Sequence, residues 1–314
     1  MRALPVFLRV TLAAVLIAAS TVLHALPLLA VALIKVALPF RAVRRICDPW
    51  LTGLAESWIG VNSRLIAGFT RTRFVVVDEA ATLQYDGHYL VLANHQSWVD
   101  IPVLQKVFNR RIPLLRFFLK SELFWIPVLG LAWWALDFPF MRRYTREQIE
   151  RRPELAGRDI AATRRACAKF RAIPVAVMNF VEGTRYTPAK HAAQSSPYRH
   201  LLKPKSGGVA FVIEAMGDGL QGILDVTVVY PDRRPTLLDL FADRVGEVCI
   251  DVCERPIPRE FVDGDYQNDD AFRERFQAWM NALWAEKDAT YARLLAASGA
   301  TAAATSAATK PMNP

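Results

Sequence analysis

From Val10 to Ile34 the chain runs for 25 residues without a Lys, Arg, Asp or Glu, bracketed by Arg9 and Lys35. A helix of about 20 apolar residues crosses the hydrocarbon core of a bilayer, so this stretch is long enough for a membrane segment. A cleaved leader is the alternative, with Ala30-Val31-Ala32 as a possible cleavage site. The apolar run is long for a leader core, however. It resumes through Val36–Phe40 and ends in Arg41, Arg44 and Arg45, which favours a retained anchor. His24 and Pro27 interrupt the middle, so a bent or re-entrant hairpin stands beside a single straight span. Basic residues flank both ends and leave the positive-inside rule without a direction.

The rest of the composition narrows the class. The 314 residues carry 39 Lys+Arg against 30 Asp+Glu, a net charge of +9, yet 53% are hydrophobic and only 22% charged. With a mean hydropathy of +0.16 this is no disordered polycation. A basic excess on an apolar chain suits anionic lipid or a phosphorylated ligand; no nucleic-acid-binding motif is present to claim it. Cys47, Cys167, Cys249 and Cys253 are too few and scattered for a disulfide framework and lack zinc-site spacing.

After Cys47 the pattern becomes globular. Leu51–Thr70 has helical period, and Ile101–Phe108 reads as a short helix. Arg73–Asp78, His88–Ala93, Pro174–Phe180, Leu224–Val229 and Val245–Cys253 read as strands, the first two separated by an Asp86-Gly87 turn. Leu114–Phe140 is an aromatic tract broken by Arg116, Lys120, Glu122, Pro127 and Gly130, and fits either an interfacial, groove-lining surface or a buried segment. Arg146–Arg171 reads as a charged helix or pair. Ser206 is placed to cap a helix over Gly207–Met216, and Phe272 to Tyr291 mark a long amphipathic helix. Strands alternating with helices predict an α/β fold. The expected division is a membrane-associated helical segment at 1–46, a globular domain at 47–297 and a disordered Ala/Thr-rich tail at 298–314.

Two loops carry the chemistry. Asn94-His95-Gln96-Ser97-Trp98-Val99-Asp100 follows a strand, where α/β proteins commonly build ligand sites. An imidazole takes a hydroxyl proton near neutral pH, and a carboxylate on its other nitrogen fixes the tautomer and stabilises the cation. His95 and Asp100 supply that pair, and no Ser or Cys stands out as a nucleophile. Alone, a His-x4-Asp spacing is weak evidence. Val181-Glu182-Gly183-Thr184-Arg185 follows a second strand and joins a close-approach glycine and a hydroxyl to a guanidinium matched to phosphate. Arg142 and Arg143 offer further cations. Lys203 and Lys205, beside the Ser206-Gly207-Gly208 helix start, form a third anion-friendly place.

These blocks resemble the glycerolipid acyltransferases, the 1-acyl-glycerol-3-phosphate acyltransferase superfamily. Asn94-His95 through Asp100 matches the N-H-x4-D motif, and Glu182-Gly183-Thr184-Arg185 the E-G-T-R block. Pro127, Gly130 and Phe140-Met141-Arg142-Arg143 are similar to the second block, and Val226-Thr227-Val228-Val229-Tyr230-Pro231 to the fourth. The four blocks keep order and rough spacing across about residues 88–231. The run Glu182–His191 is most similar to the lysocardiolipin-acyltransferase-like subgroup and its bacterial relatives. Val181 stands where the family usually has Pro, and Arg142 where it often has an acid.

The resemblance implies a glycerol-phosphate acyltransferase-like mixed sheet flanked by helices. It implies His95 as general base and Asp100 as its partner. Arg143 and Arg185 would hold the substrate phosphate, with Arg142 as the alternative to Arg143, and Glu182, Gly183 and Thr184 would shape the pocket. The implied acceptor is a lysophospholipid, foremost 1-acyl-glycerol-3-phosphate, with lysophosphatidylglycerol or lysocardiolipin as alternatives. The donor is acyl-CoA or acyl-carrier protein, with no other cofactor and no metal. The expected seat is a bacterial inner (cytoplasmic) membrane, the catalytic domain facing the cytoplasm. Rival readings are a non-catalytic lipid-binding protein, a thioester hydrolase using the same pair, and a soluble nucleic-acid binder, the last at odds with the apolar amino terminus.

Overall fold

The centre of the molecule is a sheet whose middle strands are apolar on both faces. The computed structural model describes residues 4–77, 83–141, 151, 167–171 and 173–308. Strand β2 (His88–Ala93) buries all but its first residue, and β7 (Gly222–Val229) buries every one. Such strands need cover on both sides, as parallel strands do. With β1 (Arg73–Val77), β3 (Leu115–Phe117), β6 (Val175–Phe180) and β8 (Glu247–Arg255) they form a six-stranded sheet in the order β1-β8-β7-β2-β6-β3. Strands β7, β2, β6 and β3 run parallel; β8 is antiparallel to β7, and β1 is parallel to β8. The expected mixed sheet is the sheet found.

Alternation along β2 divides the core. Leu90 and Leu92 face α6 (Gly207–Met216) and α8 (Asp270–Ala308), packing with Val212, Phe276 and Trp284. Tyr89, Val91 and Ala93 face the other way, toward Val103 and Leu104 of α3 (Asp100–Phe108) and Ile66 of α2 (Arg41–Phe69). Register then sets the site: Ala93, the last residue of β2, pairs with Phe180, the last of β6. The loops beginning at Asn94 and Val181 therefore leave the same edge side by side.

The amino terminus is a helical hairpin. Helix α1 (Val6–Ala37) is one unbroken helix of 32 residues through Pro27, and the chain reverses at residues 38–40 rather than near His24. Ala30–Ala32 lies inside it, with Ala32 buried. Helix α2 starts at Arg41, so the expected boundary at 46 falls within a helix and not between units. His24 Nε2 lies 3.2 Å from Ser57 Oγ, and Trp58 Nε1 donates to Thr21 Oγ1 at 3.1 Å, tying the two helices. Both ends of α1 also hold the globular part. Arg9 donates to the carbonyls of Phe241 and Ala242, at the end of the short helix α7 (Leu237–Phe241), and pairs with Asp243. Lys35 pairs with Asp48 and Asp137, both at 2.7 Å. Phe7, Leu23, Leu26, Leu33, Phe40, Ile46 and Trp50 are exposed on the outside.

The aromatic tract is neither purely interfacial nor purely buried. It breaks into β3, β4 (Leu119–Lys120), a 3₁₀ turn at Ser121–Trp125, α4 (Leu129–Ala135) and β5 (Phe140–Met141). Leu114, Leu136 and Phe138 pack on Leu28, Leu51 and Ile59 of the hairpin, while Trp125 and Trp134 remain exposed. Gly130 is required at its place: a Cβ there would meet the Phe124 carbonyl oxygen at 1.8 Å. At the other terminus the backbone of α8 stays helical through Ala308, into the stretch expected to be disordered. Alanine is the strongest helix former, and its run extends the packed helix.

Candidate active site

Asp100 begins α3 and is fully enclosed. Its Oδ2 accepts from His95 Nδ1 at 2.8 Å and from the backbone amides of Gln96 and Ser97 at 2.7 and 2.9 Å. Its Oδ1 accepts from the Tyr230 hydroxyl at 2.7 Å. A carboxylate meeting three other donors has no proton to offer, so His95 Nδ1 is assigned the hydrogen and Nε2 keeps its lone pair. Burial, and then Asp100 beside it, push the Tyr230 phenol well above its ordinary range, which keeps its O–H a donor. The five-residue spacing thus becomes a turn closed on one carboxylate.

The imidazole is held from the remaining directions. Its ring stacks on Phe180, centroids 3.9 Å apart, and its carbonyl accepts from the Tyr186 amide at 2.8 Å. Asn94, fully buried, exchanges two bonds with the Val228 backbone, extending the sheet contact one residue past β2. The His95 side chain retains 12% exposure, whereas Asp100 has none.

The second loop is brought beside the first, with its residues in different roles. Gly183 has φ +69°, a backbone region costly for other residues, and a Cβ there would press on Lys205 at 3.1 Å. Thr184 Oγ1 accepts at 2.7 Å from Nζ of Lys190, on the short helix α5 (Pro188–Gln194), and the same ammonium donates to the Arg185 carbonyl. The Arg185 guanidinium lies 4.2 Å over the Trp98 ring, on the His95 loop. Glu182, expected to line the phosphate pocket, is instead fully enclosed beneath the loop. Burial drives its carboxyl well above the usual range, aided by Asp100 and opposed by the Leu202 and His95 amides and Lys287. Arg142 and Arg143 lie outside the described residues, as does most of the expected charged helix at 146–171.

At the third anion-friendly place the helix begins at Gly207 as expected, but without the expected cap. Ser206 makes no cap bond; its hydroxyl, buried, meets Tyr266 and Gln277. Two residues missed as individuals are Tyr230, visible only as part of an apolar block ending in Pro231, and Lys190. From His95 a row of rings leads away through Phe180 to Phe117 (6.1 Å) and Phe138 (6.5 Å from Phe117). Phe138 lines an apolar cleft with Leu28, Trp58, Leu114 and Trp133, between the hairpin and α4. It also lines a cavity of about 540 Å³ bordered by Lys35, Arg44 and Lys169.

The arrangement is an imidazole braced by a buried carboxylate, a guanidinium over Trp98 of the same loop, and a row of aromatic rings leading away. The acyltransferase family model matches residues 74–231, half of the chain, and takes in both loops. The chain therefore belongs to the acyltransferase family. It is 25% identical over 239 residues to the mouse 1-acyl-sn-glycerol-3-phosphate acyltransferase gamma, covering 72% of this chain and 58% of the relative. To the Arabidopsis thaliana 1-acyl-sn-glycerol-3-phosphate acyltransferase 3 it is 28% identical over 188 residues, 54% of this chain and 46% of the relative. The aligned part thus spans about half the length of these curated relatives. The crystal structure of the 1-acyl-sn-glycerophosphate (LPA) acyltransferase PlsC from Thermotoga maritima is similar with a TM-score of 0.46 and 16% identity, over 85% of this chain and 96% of that one.

Proposed function

We propose that this protein transfers an acyl chain from an acyl thioester to the free hydroxyl of a lysophospholipid, foremost 1-acyl-glycerol-3-phosphate, giving phosphatidic acid. The observation that carries this reading is the His95–Asp100 pair, locked by Tyr230 and two backbone amides, with Arg185 on the adjoining loop. His95 Nε2 takes the proton of the acceptor hydroxyl as its oxygen attacks the thioester carbonyl. The new C–O bond forms, the C–S bond breaks, and the proton passes from the imidazolium to the departing thiolate. Asp100 stabilises the imidazolium between those events. Arg185 holds the acceptor phosphate, and the path through Phe180, Phe117 and Phe138 receives an acyl chain. Acyl-CoA or acyl-carrier protein serves as donor; a basic chain suits either.

The hairpin supports a membrane seat. Arg9 and Lys35 lie 26 residues apart, about 39 Å along a helix, and both hold the globular part. A helix fixed at both ends to one body lies along a membrane surface rather than through it. Exposed Phe7, Leu26, Leu33 and Trp50 face the lipid, and exposed Arg41, Arg44 and Arg45 meet anionic head groups. The membrane proposed is a bacterial inner membrane, with the domain in the cytoplasm.

The test is an acceptor screen. Vesicles carrying the full chain receive labelled palmitoyl-CoA and a panel of lysophospholipids, with His95→Ala as control. Acylation of lysophosphatidate by the wild type alone is expected; acylation of only another lysolipid would move the substrate, and equal turnover by His95→Ala would end the reading. Leu4→Cys and Leu38→Cys are expected to react with an impermeant thiol reagent from the same side of sealed vesicles. Reaction from opposite sides would mean a span.

A further inference from the structure

Arg234 belongs to none of the motifs above, yet it is built into the site. It follows β7 on an exposed loop. Its guanidinium lies 3.8 Å over the Tyr186 ring, and its Nε donates to Gln96 Oε1 at 2.6 Å. Gln96 is 3% exposed, so the acceptor of that bond is fixed by the protein and not by water. Both partners sit on the two loops of the site. Gln96 follows His95 in the chain, and Tyr186 follows Arg185 and donates its amide to the His95 carbonyl. The loop itself is pinned, because the Ser97 hydroxyl donates to the carbonyl of Pro235.

Neighbouring Arg233 is paired with Asp239, whereas among the described residues no carboxylate lies within ion-pair reach of Arg234. An ordinary surface arginine loses rotamer freedom when it binds a ligand. Arg234 has given up that freedom to a ring and an amide, and its terminal nitrogens remain as a flat fork. That fork fits two oxygens of a phosphate. Arg185 over Trp98 is the same construction on the neighbouring loop.

We propose that Arg234 is a second phosphate-binding residue at the mouth of the His95 site, engaging either the phosphate of the lysophospholipid acceptor or a phosphate of the CoA donor. The inference rests on the acyl-transfer reading and deepens it. Full-length wild type, Arg234→Ala, Arg234→Lys and Arg234→Gln are compared in detergent micelles with lysophosphatidate, palmitoyl-CoA and palmitoyl-3′-dephospho-CoA. Losing a charge-assisted phosphate contact is expected to raise one KM by about tenfold or more in Arg234→Ala, with kcat within about twofold. A rise for lysophosphatidate assigns the acceptor. A rise for palmitoyl-CoA that disappears with the dephospho thioester assigns the 3′-phosphate of the donor, and one that persists assigns its pyrophosphate. Arg234→Lys recovers part of the loss and Arg234→Gln none. The proposal is overturned if both KM values are unchanged, if kcat alone falls, or if Arg234→Gln behaves as wild type, since a neutral amide can support Gln96 but not hold phosphate. Calorimetric titration with lysophosphatidate and with CoA separates the two readings. Wild type without turnover whose affinity still drops in Arg234→Ala would end the acyl-transfer reading and keep this one; turnover with equal affinities and equal KM values would do the reverse.

Discussion

The His95 loop and the α1–α2 hairpin both place polar groups among apolar neighbours, and they manage the cost differently. In the loop, one carboxylate collects four donors, Asn94 makes two backbone bonds, and His95 is stacked as well as hydrogen-bonded. In the hairpin the polar contacts fall in separate places: Arg9 at one end, the neighbouring His24–Ser57 and Trp58–Thr21 pairs in the middle, Lys35 near the turn, and Glu56 of α2 with Tyr85 and Arg110. Leu and Val fill the intervals and look outward. A shared network fails as a unit when one member leaves, because its partners are stranded in a low-dielectric place. Separated ties fail one at a time.

That contrast is broken most decisively at the centre of the loop. His95→Ala is expected to lower kcat by about 10³–10⁴-fold with little change in melting temperature, measured on membranes with lysophosphatidate. Asp100→Asn is expected to cost about 10²–10⁴-fold and to melt earlier, because an amide cannot satisfy the donors that converge on it. A variant as stable as wild type would show that the network is less coupled than its geometry. Tyr230→Phe, removing one donor of four, is expected to cost about 1–3 kcal/mol in denaturant unfolding, with a smaller loss of kcat than Asp100→Asn.

Glu182 sharpens the comparison through pH. Its folded carboxyl is raised above the value of about 4.3 in an unfolded chain, so the folded state keeps a proton the unfolded state gives up. Its contribution is whole below that unfolded value and is lost as pH rises through the raised one. Glu182→Gln, neutral at every pH, is expected to melt above wild type at pH 8, with a smaller difference at pH 5; a pH-independent difference would contradict a protonated Glu182. The smallest effect belongs to the hairpin. Arg9→Ala is expected to cost about 1–3 kcal/mol and to leave His95 chemistry within about twofold, read from unfolding and kcat side by side. A loss of turnover to match Asp100→Asn would mean that the hairpin and the site are one cooperative unit.

Much of this was legible because it is local. The sequence bounds His88–Ala93 and Gly207–Met216 to the residue, since a largely apolar run and a helix opened by two glycines depend on neighbours in sequence. His95 and Asp100 are five residues apart, so one turn suffices to join them. Glu182, by contrast, reads from sequence as a polar residue beside Arg185 and proves to be buried. Nothing local marks Lys287 of α8 as buried, yet its Nζ pairs with Asp225 and donates to the Val226 carbonyl in the sheet at 2.7 Å. Ser206 has the residue type of a cap and spends its hydroxyl on Tyr266 and Gln277.

The sequence by itself determined the α/β alternation, the apolar amino terminus, the four ordered blocks and the pairing of His95 with Asp100. The first two follow from periodicity and composition; the blocks and the pair rest on short motifs and their resemblance to a known family, which the chain carries wherever it folds. Only the tertiary structure decided that the apolar terminus turns back at residues 38–40 and is pinned at both ends. It alone brought Tyr230 to Asp100 across 130 residues, and Arg234 to Gln96 across 138. Such contacts are set by strand order and register, through which β7 pairs beside β2 and delivers its end to the same edge. No local property of either segment encodes that adjacency; it exists only once the whole sheet is closed.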